Sequence, residues 1–139
     1  MTTATSLLLQ DATIHQASLL CKDIAQSRKF YEEVLGARFI AEFDQPGLLF
    51  FRFGSTRLLL DKNGKPGLLY IRMAGIDQTV SSLQQQGVEF ETEVHSVFKD
   101  DEGLFGNAGD TECMAFFKDP ADNTLALVEQ RLLQETADD

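Results

Sequence analysis

One supersecondary unit is written twice in this chain, and that repeat limits the folds open to it more than any other feature. Asp23-Ile24-Ala25-Gln26-Ser27-Arg28-Lys29-Phe30-Tyr31-Glu32-Glu33-Val34-Leu35-Gly36 reads as one capped amphipathic helix. Asp23 suits the N-cap, with Gln26 three residues on as in a capping box. Ile24, Ser27, Phe30, Tyr31, Val34 and Leu35 recur at helical spacing, and Gly36 ends the run. A second helix, residues 76–87, puts Ile76, Thr79, Val80 and Leu83 on one face and ends at Gly87. Each helix follows one apolar run and precedes three more. The expected strands are 13–21, 38–43, 48–53 and 57–61 in the first half, and 68–73, 89–97, 112–118 and 124–130 in the second. A doubled unit of this kind places its site between the halves.

The 139 residues suit a single domain, expected over residues 12–131, with modules at about 12–64 and 66–131 and tails at 1–11 and 132–139. Twelve basic against 22 acidic side chains give a net charge of −10, which disfavours nucleic acid and anionic membrane as partners. No apolar stretch approaches the roughly 18 residues that span a bilayer. Residues 1–11 carry no positive charge before Leu7-Leu8-Leu9, so they fail as a signal peptide and the expected location is cytoplasmic. The acidic residues 135–139 read as a frayed tail. Cys21 and Cys113 sit in apolar runs and are expected as buried free thiols. The halves differ mainly by an insertion of about 15 residues after His95, read equally well as a lid or as a loose connection. No G-x-S-x-G nucleophile and no phosphate-cradling glycine loop is present.

The motifs D-x3-S-x2-FY-x3-LG (Asp23 to Gly36) and AFF-x-DP-x2-N-x-LAL (Ala115 to Leu127), set in this doubled order, resemble the vicinal oxygen chelate superfamily. That group holds glyoxalase I, extradiol dioxygenases, methylmalonyl-CoA epimerase and the bleomycin-resistance proteins. The resemblance covers about residues 13–130. It implies an α+β fold of two βαβββ modules whose curled mixed sheets surround a shared cavity, in a homodimer. It also implies four metal-ligand positions, which in this chain read Gln16, Leu59, Leu68 and Ala126. Three of these cannot ligate a divalent metal. A divalent metal is therefore disfavoured, and no cofactor is expected. A displaced set of His15, His95 and Glu129 is the fallback.

Strand parity proposes what lines the cavity. Ala17, Leu19 and Cys21 form an apolar face for the helices, leaving Gln16 toward the cavity and His15 away from it. The same alternation leaves Tyr70 and Arg72 on the cavity side, opposite Leu69, Ile71 and Met73. It also pairs Phe50 with Arg52, and Met114 with Phe116. The candidate ligand-binding residues are thus Gln16, Phe50, Arg52, Tyr70, Arg72, His95 and Phe116, with Asp61 as a neighbouring acid. The expected function is binding of a small organic molecule in an aromatic-lined cavity without metal, as in the bleomycin-resistance branch. An acidic protein suits a cationic aromatic ligand. The alternative is an enzyme, a lyase, isomerase or dioxygenase, using a displaced metal or metal-free acid–base chemistry by His95 and Tyr70. A sensor or subunit role through a dimer surface is a third class.

Overall fold

The computed structural model describes residues 8–132, so both outermost tails, with the acidic residues 135–139, lie outside the described residues. Among the described residues, eight strands and two α-helices follow the order βαβββ twice. The first half holds β1 (Gln16–Leu20), α1 (Ile24–Lys29), β2 (Arg38–Phe43), β3 (Leu48–Phe53) and β4 (Thr56–Asp61). The second holds β5 (Leu68–Arg72), α2 (Ile76–Gln85), β6 (His95–Asp100), β7 (Asp110–Lys118) and β8 (Thr124–Arg131). Each half is a four-stranded mixed sheet, ordered β1-β4-β3-β2 and β5-β8-β7-β6, with the first strand parallel to the last. The crossover helix makes that parallel pairing possible.

The Asp23 carboxylate accepts from the Gln26 backbone N–H at 2.9 Å, as an N-cap should. The helix is not uniform, however. After Lys29 it widens into a π-helical turn over Phe30–Val34. That turn carries Tyr31 into the interior, where it is fully buried, with Phe30 packed beside it. Gly36 then takes a left-handed φ of 71° to end the element.

The second helix has no side-chain cap of its own, because Gly75 precedes it. Its first N–H groups are taken by Glu129 on β8, whose carboxylate accepts from Gly75 at 2.8 Å and Ile76 at 3.2 Å. Glu129 is therefore a helix cap set by tertiary structure.

One core serves both halves. Leu19, Leu49, Phe51, Leu58 and Leu60 from the first sheet meet Ala115, Phe117, Leu125 and Leu127 from the second, with Tyr31, Ile76, Val80 and Leu83 between them. Parity holds as expected: Phe51 and Phe117 are fully buried, whereas Phe50 and Phe116 are only half-buried. Leu69, Ile71 and Met73 also pack on the core. Cys21 and Cys113 are buried free thiols.

The family motifs form the joint between halves. Asp119 accepts from Tyr31 Oη at 2.7 Å, from Asn123 Nδ2 at 2.8 Å, and from the backbone N–H of Ala121 and Asn123 at 2.9 Å each. Asn123 passes the connection on. Its Oδ1 accepts from Leu20 N at 3.2 Å and Gly67 N at 3.0 Å, and its Nδ2 donates to Leu20 O at 2.7 Å. Burial first, and then the Asp119 carboxylate, push the Tyr31 hydroxyl far above its ordinary pKa, so it stays a donor.

The second half departs from expectation at β6. Of the expected strand 89–97, residues 89–94 contribute only an isolated bridge, Phe90 to Phe117, and the strand proper begins at His95. The inserted segment is correspondingly shorter and is tied down at its base. Asp100, 2% exposed, accepts from Leu104 N at 2.7 Å and Phe105 N at 2.9 Å. Burial pushes the Asp100 carboxyl up, but backbone N–H groups of Phe105, Leu104, Gly106 and Gly103 outweigh it and hold the pKa below the usual value. A depressed carboxylate stabilises the fold above its unfolded pKa and loses that contribution as pH falls through the folded value. Protection of the Leu104 and Phe105 amides against exchange should thus hold near neutrality and fall only in acid, below the ordinary carboxylate range. Asp100→Asn should lower that protection at neutral pH.

Candidate functional site

The helices and the shared core occupy the inner faces of both sheets, so the candidate residues lie on the outer faces. On the first sheet the organising residue is Arg57, opposite Gln16 in register. Its Nε donates to Gln16 Oε1 at 2.7 Å, and its Nη2 donates to His15 Nε2 at 3.0 Å. A guanidinium only donates, so this imidazole nitrogen must be the acceptor. The same guanidinium lies 5.4 Å from the Phe50 ring centroid, within cation–π range. Arg52 stands opposite Arg57 and is exposed, and Leu59 is opposite Phe50.

Two points differ from the sequence reading. His15 is not turned away from Gln16, because both side chains reach the same Arg57 guanidinium. Asp61 does not serve the arginines through the contact observed: its Oδ1 accepts from Asn63 N at 2.8 Å in the turn after β4. Arg57 lies outside the residues that strand parity proposes. Its signal was its place at the head of β4, but the β1–β4 pairing joins strands some 40 residues apart and is not legible locally.

On the second sheet, Phe116 and Tyr70 both lie opposite Ala126. The Phe116 ring sits 6.3 Å from Tyr70, edge to face, and 6.5 Å from His95. His95 Nδ1 lies 2.8 Å from the Glu93 carbonyl, which can only accept, so Nδ1 carries the proton and Nε2 is the open nitrogen. Arg72 lies opposite Val128, which in turn faces Met114 and so His95. The seven expected ligand residues thus assemble as two groups, Gln16, Phe50 and Arg52 on one sheet and Tyr70, Arg72, His95 and Phe116 on the other. The ring contacts of each group stay within its own sheet.

Between the edge strands β1 and β5 the two halves part to leave a cleft of about 480 Å³. Ala17, Phe53, Thr56 and Leu58 wall one side, and Leu69, Tyr70, Ile71 and Arg72 the other. Its volume is in the range of small-molecule sites.

The residues present do not fit the four-ligand metal site that the resemblance implies. Leu59, Leu68 and Ala126 offer no donor atom, and the Gln16 oxygen already accepts from Arg57. The fallback residues are each engaged separately, His15 with Arg57, His95 with Glu93 and Glu129 with α2. Among the described residues, no three His, Cys, Asp or Glu side chains come together as a metal requires. Burial, foremost among several effects, raises the Cys21 thiol pKa, which removes it as a nucleophile near neutral pH.

No helix of the described residues is long and apolar enough to cross a membrane. Comparison with known proteins agrees with the doubled topology. The fold recurs in many solved structures. Lactoylglutathione lyase from Agrobacterium tumefaciens superposes with a TM-score of 0.66 at 20% identity, over 85% of this chain and 93% of that one. A superfamily member from Sphaerobacter thermophilus gives 0.66 at 21%, over 87% and 99%. One from Alicyclobacillus acidocaldarius gives 0.62 at 17%, over 86% and 92%. These likenesses speak for the fold alone. No curated protein matches the chain. The model of the glyoxalase/bleomycin resistance protein/dioxygenase superfamily matches residues 13–127, nearly the whole of both modules, and the chain belongs to that superfamily.

Proposed function

We propose that this protein binds a small organic molecule on the outer faces of its sheets, without the superfamily's usual metal, and that a second copy completes the enclosure as a homodimer. The supporting observation is the finish of those faces. They carry aromatic and apolar side chains left open to solvent, among them Tyr70 at 53%, Phe43 at 50% and Leu68 at 49% exposure. Beside them stand polar groups whose orientation is already set, Arg57 by Gln16 and His95 by Glu93. Pre-set polar groups over an apolar floor are what ligand recognition requires. Buried free thiols suit a reducing compartment, so a cytoplasmic location belongs to the same proposal.

A second reading rests on His95 and Tyr70, which flank the same Phe116 ring. With Nε2 open, His95 is placed to move a proton for a substrate lying on Phe116, as an acid–base enzyme would.

Thermal unfolding against a panel of aromatic metabolites and drugs tests binding. A ligand at a hundredfold excess over its Kd stabilises by about 2.7 kcal/mol. Tyr70→Ala and Phe116→Ala should each abolish that shift. Turnover of a bound compound that vanishes in His95→Ala would favour the enzyme instead. Stoichiometric metal in the purified protein, lost in His95→Ala, would sink the metal-free reading, and a monomer in sedimentation velocity would sink the dimer.

A further inference from the structure

Arginines in a protein of net charge −10 have many carboxylates to choose from. Arg28 takes Glu32 and Glu42, and Arg131 takes Asp77. Arg38, Arg52 and Arg57 do otherwise. They stand in register across three strands, Arg38 opposite Arg52 and Arg52 opposite Arg57, with Gln16 closing the row on β1. Residues directly opposed in a sheet share a face, with Cβ atoms roughly 4.5–5.5 Å apart. Among the described residues, none of the three forms an ion pair.

A charge on an edge strand guards against aggregation, and that alone accounts for Arg38 on β2. It does not account for Arg52 and Arg57, which lie on the two central strands. Like charges opposed across a ladder destabilise a sheet. The arrangement becomes favourable once an anion lies over it, since guanidinium forks bind carboxylate and phosphate oxygens in pairs. Arg57 is also held ready by neutral partners, an amide and an imidazole, which fix its orientation without cancelling its charge. Next to the row on the same face lie Phe50 and Leu59, an apolar floor one ring wide.

We infer that the row Arg38–Arg52–Arg57 recognises the carboxylate or phosphate group of a small aromatic molecule whose ring lies on Phe50 and Leu59. The inference rests on the small-molecule reading above and reverses the ligand charge that bulk composition suggests. Net charge acts at long range and is screened over about 8–10 Å, whereas recognition is decided by the groups in contact.

Calorimetry at low ionic strength with phenyl phosphate, benzoate, benzyl alcohol and benzamidine provides the test. Phenyl phosphate and benzoate should bind at least tenfold more tightly than the neutral or cationic probe, with inorganic phosphate competing. Arg52→Gln and Arg57→Gln should each weaken phenyl phosphate by about tenfold or more. Lys22→Gln, an exposed cation already paired with Asp122, should not. Without ligand, Arg52→Gln should melt above wild type, because it relieves repulsion. Benzyl alcohol or benzamidine binding as tightly as phenyl phosphate would overturn the inference and leave small-molecule binding intact. So would unchanged phenyl phosphate affinity in Arg52→Gln. Failure of every probe at millimolar concentration would overturn both. A dimer that falls apart in Arg52→Gln would assign the row to the acidic surface of a second copy, against the inference.

Discussion

Asp119→Ala is expected to cost roughly 3–5 kcal/mol, a large part of what a domain of this size has to spend. The carboxylate is 4% exposed and accepts four hydrogen bonds, from Tyr31, from the Asn123 side chain and from two backbone N–H groups. Removing it leaves donors buried without partners, and the penalty for stranded donors exceeds the net worth of the bonds themselves. Asn123 would also lose one of the contacts that aim it at Leu20 and Gly67, so the two halves should loosen together. Urea unfolding against wild type measures this, with Asp122→Asn as control. Asp122 is the next acidic residue along, with a left-handed φ of 67° that asparagine also tolerates, and its exposed carboxylate pairs with Lys22 at 3.3 Å, so the change should cost under about 1 kcal/mol. Equal midpoints for the two variants would refute the joint.

The second large effect sets two neighbouring phenylalanines against each other. Phe117→Ala should cost about 3–5 kcal/mol, because Phe117 is fully buried between Phe90 at 5.0 Å and Phe30 at 6.3 Å and its removal opens a cavity. Phe116→Ala, one residue away on the other face, should cost about 1–2 kcal/mol, since its ring is only half-buried. Its effect should fall on ligand binding instead. A reversal, with Phe116→Ala the more destabilising, would mean that the outer face of the second sheet is core and not a binding surface. Denaturant melts and ligand titrations on the same two variants decide the matter.

What could be read from the chain follows from the range over which each signal acts. Helix periodicity is local, and Ile24 to Leu35 was legible without any partner in view. Parity is nearly local, and it sorted Phe50 from Phe51 and Tyr70 from Leu69. Alternation misled at 89–94, where Val88 and Phe90 pack on the core from an irregular segment. The real β6 is an edge strand that is mostly exposed and therefore carries little pattern. Glu129 looked like a ligand because its type suits one, but its partner α2 begins more than 50 residues earlier. The arginine row depends instead on register. Its members are separated by two hairpins, and only the pairing of β2 with β3 and of β3 with β4 brings them into line.

The Asn123 carboxamide has a mechanical consequence. It pins the end of β1 at Leu20 to the residue before β5, Gly67, while the cleft opens farther along the same two strands, at Ala17 and Ile71. Two edges fastened at one end and gaping at the other behave as the jaws of a clothes-peg. The width of the gape is then set at the fastening, by a side chain that no molecule in the cleft would touch.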